Sequence, residues 1–178
     1  MESDMRIEIV SIGSIDADIL EYLVNLLSER FNATVSVGSK IAIDRFHEDE
    51  LRKQYLSTAM LRALRDMRNL DSLLLGVADV DLYVPSLNFV FGEAAPPARV
   101  AVISLVRLRP AFYGLQEDRR LFLERVGKEA VHEVGHILHL QHCTQRSCVM
   151  FFSNSLVDTD LKEDQFCQRC ETYLAANL

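Results

Sequence analysis

The chain has 178 residues, 49% of them apolar and 25% charged, with a formal net charge of −7. A chain of this length is ordinary for one domain and buries roughly 70% of its unfolded-state surface, so it needs no staple merely to fold. The acidic balance argues against nucleic acid or an anionic membrane as the main partner, because phosphate recognition needs concentrated Lys and Arg. The richest basic stretch, residues 52–68, reads as a solvated helix face.

The N-terminal MESDMRIEIVSIG is acidic and runs straight into a strand-like pattern, unlike a secretory signal. No apolar run approaches the ~18 residues of a membrane span. The expected compartment is therefore the cytoplasm, with no membrane partner. Residues 5–12 alternate and are rich in Ile and Val, which predicts a first strand. Ser14 is placed to cap a helix to about Phe31, with Asp16 and Asp18 in its first turn and Ile15, Ile19, Tyr22, Leu23, Leu26 and Leu27 as its buried stripe. A short strand over 34–37 follows, then a second helix over about 48–68 burying Leu51, Tyr55, Ala59, Ala63 and Met67. Three more strands are expected over 73–83, 87–91 and 100–108. Pro85 on one side and Pro96 with Pro97 on the other bracket NFVF, and mark it as a sheet edge. After Pro110 the pattern becomes helical from about 117 to 139. A loop follows, and a last helix starts near Asp160, where DLKE has capping-box spacing. The fold class is α/β (α+β). An α/β lobe over about 1–141 precedes a smaller, irregular lobe over about 142–178 within a single domain.

Four of the five histidines fall in HEVGHILHLQHC, residues 132–143. On a helix His132 and His136 project from one face, a turn apart, and two imidazoles so placed can reach one zinc at ~2.0–2.1 Å. Glu133 stands beside them as a candidate general base without being a ligand. This is the HExxH pattern of zinc-dependent peptide hydrolysis. His142 lies six residues beyond His136, as in the longer HExxHxxGxxH motif. In that motif a glycine ends the helix at positive φ and swings the third histidine back to the metal. Here the glycine position is His139. A straight helix through His132, His136 and His139 spans about 10.5 Å at ~1.5 Å per residue, too far for one zinc to bridge. His139 is thus either the residue of the positive-φ turn, which histidine tolerates better than most, or a polar residue at the rim of the cleft. The turn is the reading preferred here: three histidines bind metal and the fourth bends the chain.

Cys143, Cys148, Cys167 and Cys170 are the only cysteines, and the last two form CQRC. In a reducing compartment four clustered thiols suit a closed tetrahedral structural zinc better than disulfides. A redox pair in CQRC is the rival, but it leaves the other two without a purpose. Met150 fits a Met-turn beneath the zinc, and beside Phe151 and Phe152 it also fits core packing.

HEVGHILHLQHC, the following Cys148-Val149-Met150, the CQRC pair and, upstream, DVDLYVPSLNFVFGEA together resemble the archaemetzincins, a metzincin family found in archaea and vertebrates. The resemblance covers nearly the whole chain. It implies a metzincin-like fold, with a twisted mixed sheet, an edge strand and two helices, then the active-site helix, the Met-turn and a C-terminal helix. It also implies two zinc ions, a catalytic one on His132, His136 and His142 and a structural one on Cys143, Cys148, Cys167 and Cys170. Glu133 would be the general base acting on a zinc-activated water, with a peptide or protein as substrate. Phe152 stands where some metzincins place a tyrosine. The edge strand near Asn88 to Phe91 offers a place for an extended peptide. The alternative is a non-enzymatic zinc module in which His139 leaves the histidine site weak or idle.

Overall fold

The computed structural model describes residues 5–68 and 71–177. Its larger sheet has the order β2-β1-β5-β8-β7, formed by β1 (Arg6–Ile12), β2 (Thr34–Ile41), β5 (Leu73–Ala78), β7 (Gly92–Ala95) and β8 (Val100–Ser104). All neighbours are parallel except β7, which runs antiparallel to β8 and, among the described residues, has no strand paired on its other side. Strand alternation divides the core. Ile7, Ile9, Leu73, Leu75, Val77, Ala101 and Ile103 face α1 (Ala17–Phe31) and α3 (Arg119–Ile137). Val10, Ile12, Leu74, Val100 and Val102 face α2 (Ser57–Met67). With helices on both faces, β5 is buried at every position, which is why it reads LLLGVA without polar interruption.

Helix α1 starts at Ala17, after Asp16, later than a Ser14 cap would give. Asp16 and Asp18 bind Arg119 at the start of α3, so their charges join two helices instead of capping one. The second helix is shorter than its pattern suggests. Residues 48–56 instead form β3 (Glu48–Asp49) and β4 (Gln54–Leu56), which belong to a second small sheet with β6 (Leu82–Tyr83). The Asp49 carboxylate accepts hydrogen bonds from the N–H groups of Leu51 and Arg52, a local alternative that competes with helix. Leu51 is 98% exposed, and the buried face of α2 is Ser57, Met60, Leu61 and Leu64, not the Ala59, Ala63 and Met67 stripe.

The strand over 73–83 breaks after Ala78, where Asp79 and Asp81 turn to pair with Arg109 and Arg107. The strand beginning at Val100 ends at Ser104. NFVF is not the edge strand: Arg52 and Gln54 take the Asn88 carbonyl, Val90 makes only an isolated bridge to Leu82, and the edge is β7. Pro96 and Pro97 do end that edge, in a 3-10 turn. At the C-terminus the capping box is Ser155 with Asp158, opening α4 (Leu156–Leu161), and α5 (Gln168–Asn177) follows. Asp160 is not a cap; its carboxylate is held by Arg125 at 2.7 Å through each oxygen.

Candidate catalytic metal centre

Asp118 caps α3 by accepting a hydrogen bond from the Leu121 N–H, 3.0 Å away, and the helix then runs beneath β7 to Ile137. It ends in a Schellman motif. The Leu140 N–H donates to the Gly135 carbonyl and the His139 N–H to the His136 carbonyl, with His139 at φ 65°. Histidine in this conformation costs about 1–2 kcal/mol relative to glycine. The reversal turns the chain back along the helix, so that His142 arrives beside His136 while the His139 side chain points into solvent.

The Nε2 atoms of His132 and His136 are 3.0 Å apart, and those of His136 and His142 are 3.2 Å apart. Three nitrogens ~2.0–2.1 Å from a tetrahedral zinc would be separated by about 3.4 Å, so the set fits that ion. Tautomers agree with this. His132 Nδ1 lies 2.8 Å from the Val149 carbonyl and His136 Nδ1 2.8 Å from the Leu140 carbonyl. A carbonyl only accepts, so both Nδ1 atoms carry the hydrogen and both Nε2 lone pairs face the shared point. Burial, more than any neighbouring charge, lowers the pKa of all three imidazoles and keeps them neutral.

Met150 lies under this helix turn. A side chain at Gly135 would come within 2.5 Å of the Met150 Sδ, so the close approach requires glycine there. The Met150 carbonyl in turn accepts from the Cys143 N–H. Glu133 is buried against β7, where a side chain at Gly92 would lie 2.7 Å from it. Its carboxyl is hydrogen-bonded to that of Glu129 one turn earlier. Burial first, and then the Glu129 charge, raise its pKa well above the usual carboxylate range. Lys162 is 2% exposed and faces both acids. Its Nζ is 3.5 Å from His132 Nδ1 and 3.4 Å from the Phe151 carbonyl, distances long for hydrogen bonds; burial lowers its pKa, and the charges of Glu129 and Glu133 act against that. Glu129 and Lys162 are absent from the sequence reading. Glu129 carried a signal, four residues before Glu133 on the same face. Lys162 carried none, because 30 residues of chain separate it from His132.

These groups form the floor of a cleft of about 390 Å³, walled by residues 87–94 on one side and by Phe152, Ser153 and Asn154 on the other. Ser104 N–H donates to the Phe91 carbonyl, and antiparallel alternation from that bond turns the backbone groups of Gly92 and Ala94 away from β8, toward the cleft.

The four cysteines form a second cluster with their sulfurs within 4.8 Å of one another. Cys143 and Cys167 Sγ are 3.7 Å apart, and Cys148 and Cys170 Sγ 3.8 Å apart. A disulfide needs ~2.05 Å, whereas thiolates ~2.3 Å from a tetrahedral zinc lie about 3.8 Å apart. N–H groups of Gln145 and Cys167 and the Arg169 guanidinium donate to these sulfurs. Burial pushes the Cys167 thiol up, but hydrogen bonds from the Cys170 backbone and the neighbouring thiols outweigh it and bring the thiol down to about 7. Arg169 is a further residue that the CQRC pattern alone did not single out.

Residues 20–176 match the model of peptidase family M54. The chain is 42% identical over 177 residues to an archaemetzincin of Pyrococcus abyssi, covering 96% of this chain and 94% of that one. It is also 42% identical to an archaemetzincin of Methanocaldococcus jannaschii, covering 93% and 90%. Among solved structures it resembles the archaemetzincin of Methanopyrus kandleri, with a TM-score of 0.84 at 39% identity over 97% of this chain and 94% of that one. A second, from Archaeoglobus fulgidus and complexed with malonate, gives 0.81 at 39% identity over 95% and 99%. The chain belongs to peptidase family M54, with the archaemetzincins, and is a zinc metallopeptidase.

Proposed function

We propose that this peptidase hydrolyses peptide bonds at the histidine cluster, with His132, His136 and His142 holding the catalytic zinc and Glu133 as general base. Cys143, Cys148, Cys167 and Cys170 hold a second, structural zinc, giving two ions per chain. The observation that carries the reading is the convergence of three Nε2 atoms, two with their Nδ1–H fixed on backbone carbonyls, at the floor of a cleft that also holds a buried carboxylate. Zinc held by His132, His136 and His142 would supply Lewis acidity toward a carbonyl and would lower the pKa of water toward ~7.

The chain's own groups do the rest. An extended peptide adds to the free edge of β7 through the backbone of Gly92 and Ala94, which sets the scissile bond over the histidines. Glu133 accepts the proton of the attacking water and passes it to the leaving amine. Burial and Glu129 raise its basicity, which favours its taking a proton, while the Lys162 charge opposes that shift. Residues 1–141 supply the edge strand and α3, and residues 142–178 close the other wall through Phe152 to Asn154. Family membership and the intact Glu133 favour this reading over a non-enzymatic zinc module, in which a buried general base would have no use. Glu133→Gln should retain both metals and the melting temperature yet lose about 10²–10⁴-fold in kcat. Undiminished turnover in that variant would remove Glu133 from the mechanism.

A further inference from the structure

The cleft does not end at its wall. Phe89, which lines it, has its ring 4.2 Å from the guanidinium carbon of Arg107, and the ring of Phe112 is 4.8 Å from the same carbon. Arg107 is locked there by two 2.7 Å bonds to the Asp81 carboxylate. Phe112 packs edge-on against Tyr113, whose hydroxyl donates to the Arg107 carbonyl. These residues are nevertheless open to solvent: Phe112 is 44% exposed, Tyr113 43% and Leu115 60%, and Leu87 on the cleft rim is 50%. Single exposed apolar residues need no explanation, but a group joined through one guanidinium to a ring that lines the cleft does. Asp81 pairs with Arg107 between the Phe89 and Phe112 rings, and Asp79 pairs with Arg109, whose guanidinium lies over Phe122, so neither cation is left unpaired beside the apolar surface.

We propose that Phe112, Tyr113 and Leu115 form an outer docking surface for the part of an extended polypeptide substrate that leaves the cleft at the Gly92 end of β7. The inference rests on the peptidase reading of the cleft. The chemistry it selects is a large apolar side chain, aromatic or leucine-like, on a segment of low charge. Arg107 places the Phe89 and Phe112 rings within about 9 Å of each other, which an extended chain crosses in about three residues at ~3.3 Å each. Rigid aromatic side chains, already stacked and fixed before binding, lose little conformational freedom when a partner arrives. Substrates long enough to reach them are therefore held better than short ones cut at the same bond.

The test uses the zinc-loaded chain and three kinds of fluorescein-labelled peptide with one scissile sequence. The first is confined to the cleft, the second is extended on either side with leucine about three residues out, and the third carries serine there instead. In the parent protein the leucine extension should raise kcat/KM on the order of tenfold, on one side only. In the double variant Phe112→Ser, Leu115→Ser that gain should vanish, while the short peptide is cut as before. No gain on either side, or a gain that survives in the double variant, overturns the docking surface. Should the short peptide itself go uncut, the peptidase reading fails separately, and Kd values from anisotropy with the same peptides still decide the docking question. Sedimentation equilibrium completes the test. A dimer that dissociates in the double variant, with peptide preference unchanged, would assign the patch to a second copy of the chain and contradict the proposal.

Discussion

His139 stands where the motif asks for glycine, and the structure shows the reason a histidine suffices. Its backbone takes the positive φ of a Schellman turn, both turn hydrogen bonds form, and its side chain lies in solvent. His139→Gly should therefore raise stability by about 1 kcal/mol and leave zinc affinity intact, whereas His142→Ala should weaken the histidine site. Calorimetric zinc titration of the two variants side by side checks this; zinc lost in the first and tight in the second would reverse the ligand assignment. The pKa shifts give a second expectation. For His132, His136 and His142 the folded pKa lies below the ordinary imidazole value of about 6.5, so as pH falls through that value the unfolded chain takes up protons the folded chain refuses. Their contribution is present above about 6.5 and is lost toward acid. Glu133 has the opposite sign, because its raised pKa lets the folded state hold a proton longer, so its contribution declines as pH rises above the usual carboxylate range. Urea melts of the parent and of Glu133→Gln between pH 5 and 7 should therefore differ in slope, with stability falling more steeply toward acid in the variant, which lacks the opposing carboxyl; a variant whose stability falls less steeply than the parent's would contradict the raised Glu133 pKa. At this scale the sequence made the histidine and cysteine clusters legible because their members are close in the chain. Lys162 stayed hidden because a loop and a helix bring it under His132.

Elements were legible where apolar period and burial coincide, as in β1, β5, α1 and α3. They were misjudged where a side chain captures the backbone locally. Asp49 converts the start of an apparent helix into a hairpin, and Arg52 with Gln54 hold the carbonyl of Asn88 that a strand would have used. The edge strand was anticipated but displaced, since prolines mark only its far end and its residues, GEAA, have no strand-like composition. The C-terminal elements are short, so α4 depends on the Ser155–Asp158 box and α5 on Cys170 and Leu174. The cysteine cluster ties α5 to the loop that presents both His142 and Met150. Cys167→Ser or Cys170→Ser should accordingly lower the melting temperature more than His142→Ala, since each frees a whole segment rather than one ligand. Thermal scans in which both serine variants melt like the parent would deny the cluster a structural role.

At the level of the whole molecule, the mixed sheet, its two helical layers and the irregular C-terminal segment serve to hold one cleft between the β7 edge and a helix. The two candidate metal sites differ in kind. The thiol cluster is nearly buried and offers four sulfurs, whereas the histidine cluster offers three nitrogens and opens into the cleft. An open three-ligand site exchanges its ion more readily than a closed tetrathiolate one. The most direct measurement is a stepwise chelator titration in which zinc content, peptide hydrolysis and circular dichroism are followed in the same sample. Two zinc ions per chain are expected, with activity lost as the first leaves and the fold lost only with the second. A single zinc in the freshly purified protein, or activity that outlasts the first departure, would contradict this expectation.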